Sequence, residues 1–357
     1  MYLQVTSPNV DKQLSLATDS IEVTKHLQPT NAEEQKKLFL EEGLENPVFK
    51  YEVPKMNLKR REKSIKAMTI PKNAATTFYQ EKKEDIIHDI NMLRSIGTKK
   101  LRFYSTKKYG KPNKQLIQRA INILKRMPTK RTYRYKNSHI VKQNIIDLLQ
   151  SHGLKDWTVK YSNKYLTTVY PQQKLITICK NRKFTKNDPN RLAVHEVGVH
   201  ALRAYNGQNQ PFKIFGSGLK GYLSTEEGLA FFCEQITESI TENHYRNYAG
   251  RVISVASVLA DHTFRTTFKL LQRHGFTEDD SWNLALRGHR GGGYIKDHVY
   301  LEGYFKVRNL YLNTNDLMYL YAGKIGVNHI PLVKRLVLQG RLQRPKTLPL
   351  FLKQMIA

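Results

Sequence analysis

The segment from Asn187 to Gly207 constrains this chain more than any other part of it. It reads as one helix: Asp188 suits the N-cap, Pro189 the first helical position, and Gly207 the left-handed residue just past the end. Inside it lies His195-Glu196-Val197-Gly198-Val199-His200. Two imidazoles and a carboxylate on one helix point to metal chemistry. The common form is H-E-x-x-H, whose i, i+4 spacing turns both rings toward one ion. Here the spacing is one residue longer. On a regular helix, residues i and i+5 diverge by about 140°, too far to share an ion. A single π-turn brings them back to within about 50°. The spacing therefore predicts a local widening of the helix, which Gly198 would ease. The alternative is two ordinary helix histidines, one solvated and one packed.

A second motif follows about 30 residues on, at Ser224-Thr225-Glu226-Glu227-Gly228-Leu229-Ala230. Zinc peptidases commonly take a third ligand, a glutamate, from a second helix packed across the first. Glu227 opens such a helix, since Leu229, Phe232, Ile236 and Ile240 form an apolar stripe beneath it. Gly228 and Ala230 are small enough for close approach to the histidine helix. The competing reading is a capping box, Ser224 to Glu227, with no metal. Together the motifs predict one Zn2+ per chain, held by His195, His200 and Glu227. A coordination position stays open for a water of lowered pKa. Glu196 is then the general base that accepts the water proton and returns it to the leaving amine. Tyr222, Tyr300, His298 and Lys296 are candidate donors to the developing oxyanion.

The surrounding chain is expected to be α+β: a predominantly helical zinc-peptidase fold with a small, largely antiparallel sheet before the metal-binding helix. Residues 1–30 are polar and aperiodic, which predicts a loose extension. Residues 31–150 form a basic, mostly helical region, with helices over Asn31–Leu44, Ala74–Leu93, Pro112–Lys125 and Ile140–Leu149. Met56–Lys66 is a charge run, read as a solvated face or linker. Residues 151–357 hold the catalytic region. It opens with three β-branched or aromatic runs, Trp157–Tyr161, Leu166–Tyr170 and Lys174–Cys179. After Glu227 it is helical, broken by a loop at Arg287–Gly293 and by prolines 331, 345 and 349.

Charge narrows the partners. Lysine and arginine total 59 against 30 aspartates and glutamates, a net charge of +29. Between Glu52 and Lys142, 25 basic residues face six acidic ones. Such a surface favours acidic partners, yet no helix-turn-helix, zinc-finger or RNA-binding signature accompanies it. A nucleic-acid partner is therefore not expected. No stretch approaches the roughly 20 apolar residues of a membrane span, and Met1–Val5 shows no secretory pattern. Cys179 and Cys233 lie in apolar segments without metal spacing, as free thiols of a reducing compartment do. The expected location is cytoplasmic, with no membrane partner.

Taken with their flanks, the motifs resemble a known family. His195–His200 is followed by Leu202-Arg203, Asn206-Gly207, Gln210-Pro211, Gly218-Leu219, Gly221-Tyr222 and Thr225–Ala230. Lys296-Asp297-His298-Val299-Tyr300-Leu301-Glu302-Gly303 and Glu45-Asn46-Pro47-Val48-Phe49-Lys50-Tyr51 extend the likeness over residues 32–357. The set is similar to the tyrosine/phenylalanine carboxypeptidase family, which includes the microtubule-associated tyrosine carboxypeptidases and is also described by its Q/E-E-G-L-A motif. The resemblance implies a zinc carboxypeptidase that removes a C-terminal tyrosine or phenylalanine from a protein or peptide, with an acidic tail suiting the basic surface. His195 and His200 match its ligand histidines, Glu196 its catalytic glutamate, and Glu227 the glutamate before G-L-A. The terminal carboxylate of such a substrate calls for a cation. Candidates are Arg287, Arg290, Lys296 and Arg265, with Tyr222 and Tyr300 beside the site. Thr266-Thr267 and the Arg287 loop depart from the family pattern. Competing readings are a zinc aminopeptidase, a basic nucleic-acid-binding protein without catalysis, and a zinc-binding pseudoenzyme, against which Glu196 argues.

Overall fold

A computed structural model describes residues 8–163 and 167–356. The N-terminal part is all helix: α1 (Pro8–Asp19), α2 (Val23–His26), α3 (Ala32–Leu40), α4 (Leu58–Ala67), α5 (Thr76–Arg94), α6 (Lys100–Tyr109), α7 (Lys114–Arg126) and α8 (Ser138–Ser151). Three strands follow: β1 (Thr158–Ser162), β2 (Thr168–Tyr170) and β3 (Leu175–Cys179). Then come α9 (Asp188–His195), a π-helical turn (Glu196–Ala201), α10 (Leu202–Gln208), α11 (Ile214–Ser217) and α12 (Tyr222–Ile236). The remainder is α13 (Glu242–Leu259), α14 (Phe264–Arg273), α15 (Glu278–His289), α16 (Val299–Asn313), α17 (Ile330–Leu338) and α18 (Leu350–Ile356). A mostly helical α+β chain is thus observed. Among the described residues no helix is long and apolar enough to cross a membrane.

The sheet is mixed, not largely antiparallel. β3 is central: it pairs antiparallel with β2 and, over five residues from Thr158↔Leu175 to Ser162↔Cys179, parallel with β1. Alternation along a strand does not say which strand is central. Burial decides it: Ile176 to Cys179 are buried in succession, as a strand covered on both faces requires. The expected strand start at Leu166 lies outside the described residues.

The N-terminus also departs from expectation. Residues 8–30 are not loose, because α1 and α2 pack on the body and fully bury Leu14 and Leu27. Asp11 accepts the backbone N–H groups of Lys213 and Ile214, fixing α1 to the start of α11. The inward face of α1 is Asp11, Leu14 and Ser15, at i, i+3, i+4 but two-thirds polar, so apolar periodicity passes over it. The charge run at Met56–Lys66 is helical in α4, where Ile65 is buried. Helix α6 has no apolar stripe long enough to announce it and rests on Leu101 and Ser105. Arg287 is not in a loop but in the last turn of α15, and the break falls at the 3-10 turn Arg290–Gly292.

The core runs through the helices that carry the candidate site side chains. α12 and α16 cross backbone to backbone at Gly228 and Gly303: a Cβ on Gly228 would lie 2.0 Å from the Gly303 carbonyl carbon, and one on Gly303 1.7 Å from the Ser224 oxygen. Gly228 therefore serves approach to α16, not to the histidine helix. Phe231 stacks on Tyr304 beside this crossing, with centroids 4.3 Å apart.

Candidate metal centre

The histidine helix starts as its sequence suggests but is not capped as expected. Asn187 occupies the cap position without a side-chain bond, and Asp188 lies inside the first turn. Asp188 instead accepts the Thr185 N–H at 2.7 Å and Arg191 Nε and Nη2 at 3.1 and 2.9 Å. Gly207 is not a terminating residue either. It is helical, and its missing Cβ lets Phe215 O sit where that atom would be, 2.2 Å away.

Between the histidines the helix widens into the π-turn Glu196–Ala201 that the spacing predicts. The turn is braced on both sides. Tyr321 donates its hydroxyl to Gly198 O at 2.9 Å, and the Phe351 ring of α18 covers Gly198, 3.2 Å from where a Cβ would project. The widening brings the His195 and His200 rings to 4.8 Å between centroids, inclined at 67°.

Glu227 completes the cluster. One ligand atom each from His195, His200 and Glu227 lie within 4.8 Å of one another, and His195 Nε2 stands 3.8 Å from Glu227 Oε2. The capping-box reading fails on position: α12 begins at Tyr222 with Gly221 as its cap, so Ser224 is already inside the helix.

Two further carboxylates show how the rings are held. Glu234 Oε1 meets His195 Nδ1 at 2.7 Å, and Glu226 Oε1 meets His200 Nδ1 at 2.9 Å. With both Nδ1 atoms engaged, both Nε2 atoms are left for an ion, the tautomer that carboxylate–histidine–metal arrangements enforce. The carboxylates are themselves anchored, Glu234 by Arg191 Nη1 at 3.1 Å and Glu226 by Arg203 and by Lys324 at 3.4 Å. Burial raises the Glu226 pKa, but the charges of Lys324 and Arg203 overcome it and hold the carboxyl well below its usual range. The donor set therefore fits a metal ion. It also separates the adjacent glutamates: Glu226 backs a histidine, and Glu227 faces the cluster. Sequence reading passed over Glu234, although its spacing of seven residues from Glu227 puts both on one face of α12.

Glu196 is buried beside the cluster. Burial raises its pKa, the charges of His195 and His200 oppose this, and Glu227 adds to it. The net upward shift makes the carboxylate a better proton acceptor at neutral pH.

Of the other expected site residues, the structure gathers some and disperses the rest. Tyr300 lies against Tyr248 with Arg251 4.4 Å from its centroid, and Glu227 is among the charges raising its pKa after burial. Lys296 lies 5.8 Å from the Tyr300 ring. Tyr222 lines a cavity that Lys296 also lines. Arg287 pairs with the buried Asp297. Arg290 is buried against the Tyr294 ring, 5.1 Å from its centroid. Arg265 is elsewhere: it binds the carbonyls of Leu44 and Glu45 and covers the Phe39 ring, at the end of α3. His298 is fully buried, tied by Nδ1 to Ile295 O at 2.8 Å and 4.0 Å from Glu302.

A helical frame with two histidines and a glutamate converging beside a buried acid defines a protein built around a metal-type cluster. Comparison with known proteins gives the family. The model described as microtubule-associated tyrosine carboxypeptidase matches residues 36–356, and the chain belongs to that family. It is 29% identical over 124 residues to microtubule-associated tyrosine carboxypeptidase 1 of Rattus norvegicus and, equally, of Homo sapiens. Those matches span 32% of this chain and 26% of each relative.

Proposed function

We propose that this chain is a zinc-dependent carboxypeptidase that removes a C-terminal tyrosine or phenylalanine from a protein or peptide. The observation that carries the reading is the convergence of His195, His200 and Glu227 within 4.8 Å, with Glu196 next to the first histidine. Family membership supports the carboxypeptidase half. Two imidazoles and one carboxylate form the donor set of a catalytic zinc site with an open position. A zinc ion bound there would polarise the scissile carbonyl and acidify a water. Glu196 accepts the proton of that water and passes it to the leaving amine. Glu226 and Glu234 keep the imidazoles oriented with Nε2 forward.

The basic N-terminal region suits a substrate with an acidic tail, which long-range attraction would guide. Cleavage of an acidic-tailed peptide should then fall more steeply with salt than cleavage of a neutral one. The two cysteines are free and buried, in keeping with a cytoplasmic protein.

The deciding experiment measures metal content and release of C-terminal tyrosine from a peptide panel, for wild type and Glu196→Gln. One zinc per chain, with release abolished and zinc retained in the variant, is expected. Protein without zinc that was never exposed to chelator would sink the reading. Release from the N-terminus of carboxyl-blocked peptides would reassign the chain as an aminopeptidase.

A further inference from the structure

A cavity of about 1,230 Å³ is walled by α1, α2, α5, α6, β2, α11, α16 and the α12 turn Tyr222–Thr225, which leads to Glu226 and Glu227. Its lining lysines are Lys25, Lys82, Lys108, Lys296, Lys306 and Lys324. Five have a carboxylate: Lys25 meets Glu22 at 3.6 Å, Lys82 meets Asp85 at 3.9 Å and Lys108 meets Asp89 at 2.6 Å. Lys306 meets Glu302 at 3.1 Å, and Lys324 meets Glu226 at 3.4 Å. Lys296 alone makes no ion pair or hydrogen bond among the described residues; its recorded contact is the Tyr300 ring.

That isolation is informative, because Lys296 is half-buried and its recorded contact is an aromatic ring. Burial disfavours its charge, but the negative groups around it, Glu227 and Asp297 among them, outweigh burial and keep the ammonium protonated. A half-buried ammonium that no protein acceptor hydrogen-bonds is left to take an anionic group from a ligand. Of the arginines nearby, Arg251 lies over the same Tyr300 ring, 4.4 Å from its centroid, but lines no part of the cavity. Arg287 is spent on Asp297. Arg290 shares the field of that same aspartate and lines no part of the cavity. Lys296 lines the cavity together with Tyr222 to Thr225, the α12 turn that leads to Glu227. The rest of the lining includes Ile21, Val23, Val169, Tyr222, Val299 and Val327, a surface that suits an aromatic side chain.

We propose that Lys296 anchors the terminal carboxylate of the substrate and that this cavity seats its C-terminal aromatic side chain. The assignment rests on the carboxypeptidase reading and adds to it the residue that distinguishes a chain end from an internal peptide bond. It also gives α1 and α2 a role. The wall from Thr18 to Lys25 belongs to the cavity but precedes residues 36–356, the span shared with the family.

The test reads binding separately from turnover. Acetyl-glutamyl-tyrosine, as free acid and as C-terminal amide, is titrated calorimetrically into zinc-loaded full-length Glu196→Gln protein with Lys296 intact or changed to Met or Arg. Circular dichroism and zinc content confirm that each variant is folded. The free acid should bind about 10- to 100-fold tighter than the amide when Lys296 is present, the range of a charge-assisted hydrogen bond. The preference should collapse in Lys296→Met and return in part in Lys296→Arg. In the Glu196 background, KM should rise more than kcat falls in Lys296→Met. An acid preference that survives in Lys296→Met would overturn the assignment, as would equal or absent binding of acid and amide to the parent. Tyrosine release by wild type is scored independently. A Lys296-dependent acid preference in protein that releases no tyrosine keeps the anchor and refutes the reaction.

Discussion

Gly228→Ala is the most demanding test of how the metal-type cluster is built. The new Cβ would lie 2.0 Å from Gly303 C, 2.4 Å from Tyr304 N and 2.5 Å from Gly303 Cα. All three atoms are backbone, so no rotamer change relieves the clash. Ordinary carbon contact begins near about 3.4 Å, so α12 and α16 must separate by roughly 1 Å or more. Overpacking of this kind costs about 3 kcal/mol, and for a chain of this size the melting temperature should drop on the order of 5 °C. Glu227 precedes the substituted residue and moves with α12. Metal–ligand distances tolerate only about 0.2 Å of error, so zinc affinity should fall at least about 10-fold. Thermal unfolding by fluorescence and zinc competition against a chromophoric chelator measure the two effects. A variant that melts with wild type and holds zinc equally well would refute both the close crossing and its coupling to Glu227.

Tyr321→Phe removes the hydroxyl that satisfies Gly198 O in the π-turn. A loss of about 1–3 kcal/mol in denaturant unfolding is expected for a stranded buried carbonyl, together with weaker zinc binding; unchanged zinc affinity would mean the turn holds without the brace. Lys82 is buried and burial lowers its pKa to about 8. Its folded value lies below the unfolded one, so the unfolded chain binds more protons between about pH 8 and 10.5 and the contribution of Lys82 to stability rises with pH across that window. Wild type should therefore gain on Lys82→Met by up to about 3 kcal/mol over the same range, and parallel pH profiles of the two proteins would contradict the buried, partly charged lysine.

The histidine helix and its widened turn were legible because spacing is geometry. A separation of five positions between two ligands leaves a regular helix no way to aim both. Glu227 was legible for a related reason, as the acid that opens an apolar stripe. Glu226 and Glu234 were not, because a carboxylate behind a ring carries no motif of its own. Its role depends on which helix lies opposite. The contacts of Arg265 were not legible for the converse reason: a basic residue's partners can be carbonyls far away in sequence, as those of Leu44 and Glu45 are. Helix α1 was hidden by a polar inward face, and the sheet order by strands too short for pattern to rank.

The π-turn has a consequence for how this helix tolerates changes in length. The extra residue between His195 and His200 is absorbed within one turn, so the helix on either side keeps its facing. Arg203 still reaches Glu226, and Asn206 still reaches Thr347 O at 2.7 Å. In an ordinary helix one residue more or less rotates everything downstream by about 100°. Removing Val199 would instead restore regular winding and the shorter H-E-x-x-H register. Both flanks would stay in place, and the loss would be confined to the Gly198 carbonyl that Tyr321 holds and the seat of Phe351 above it. The motif is thus a place where chain length can vary by one residue while the flanking turns keep their contacts.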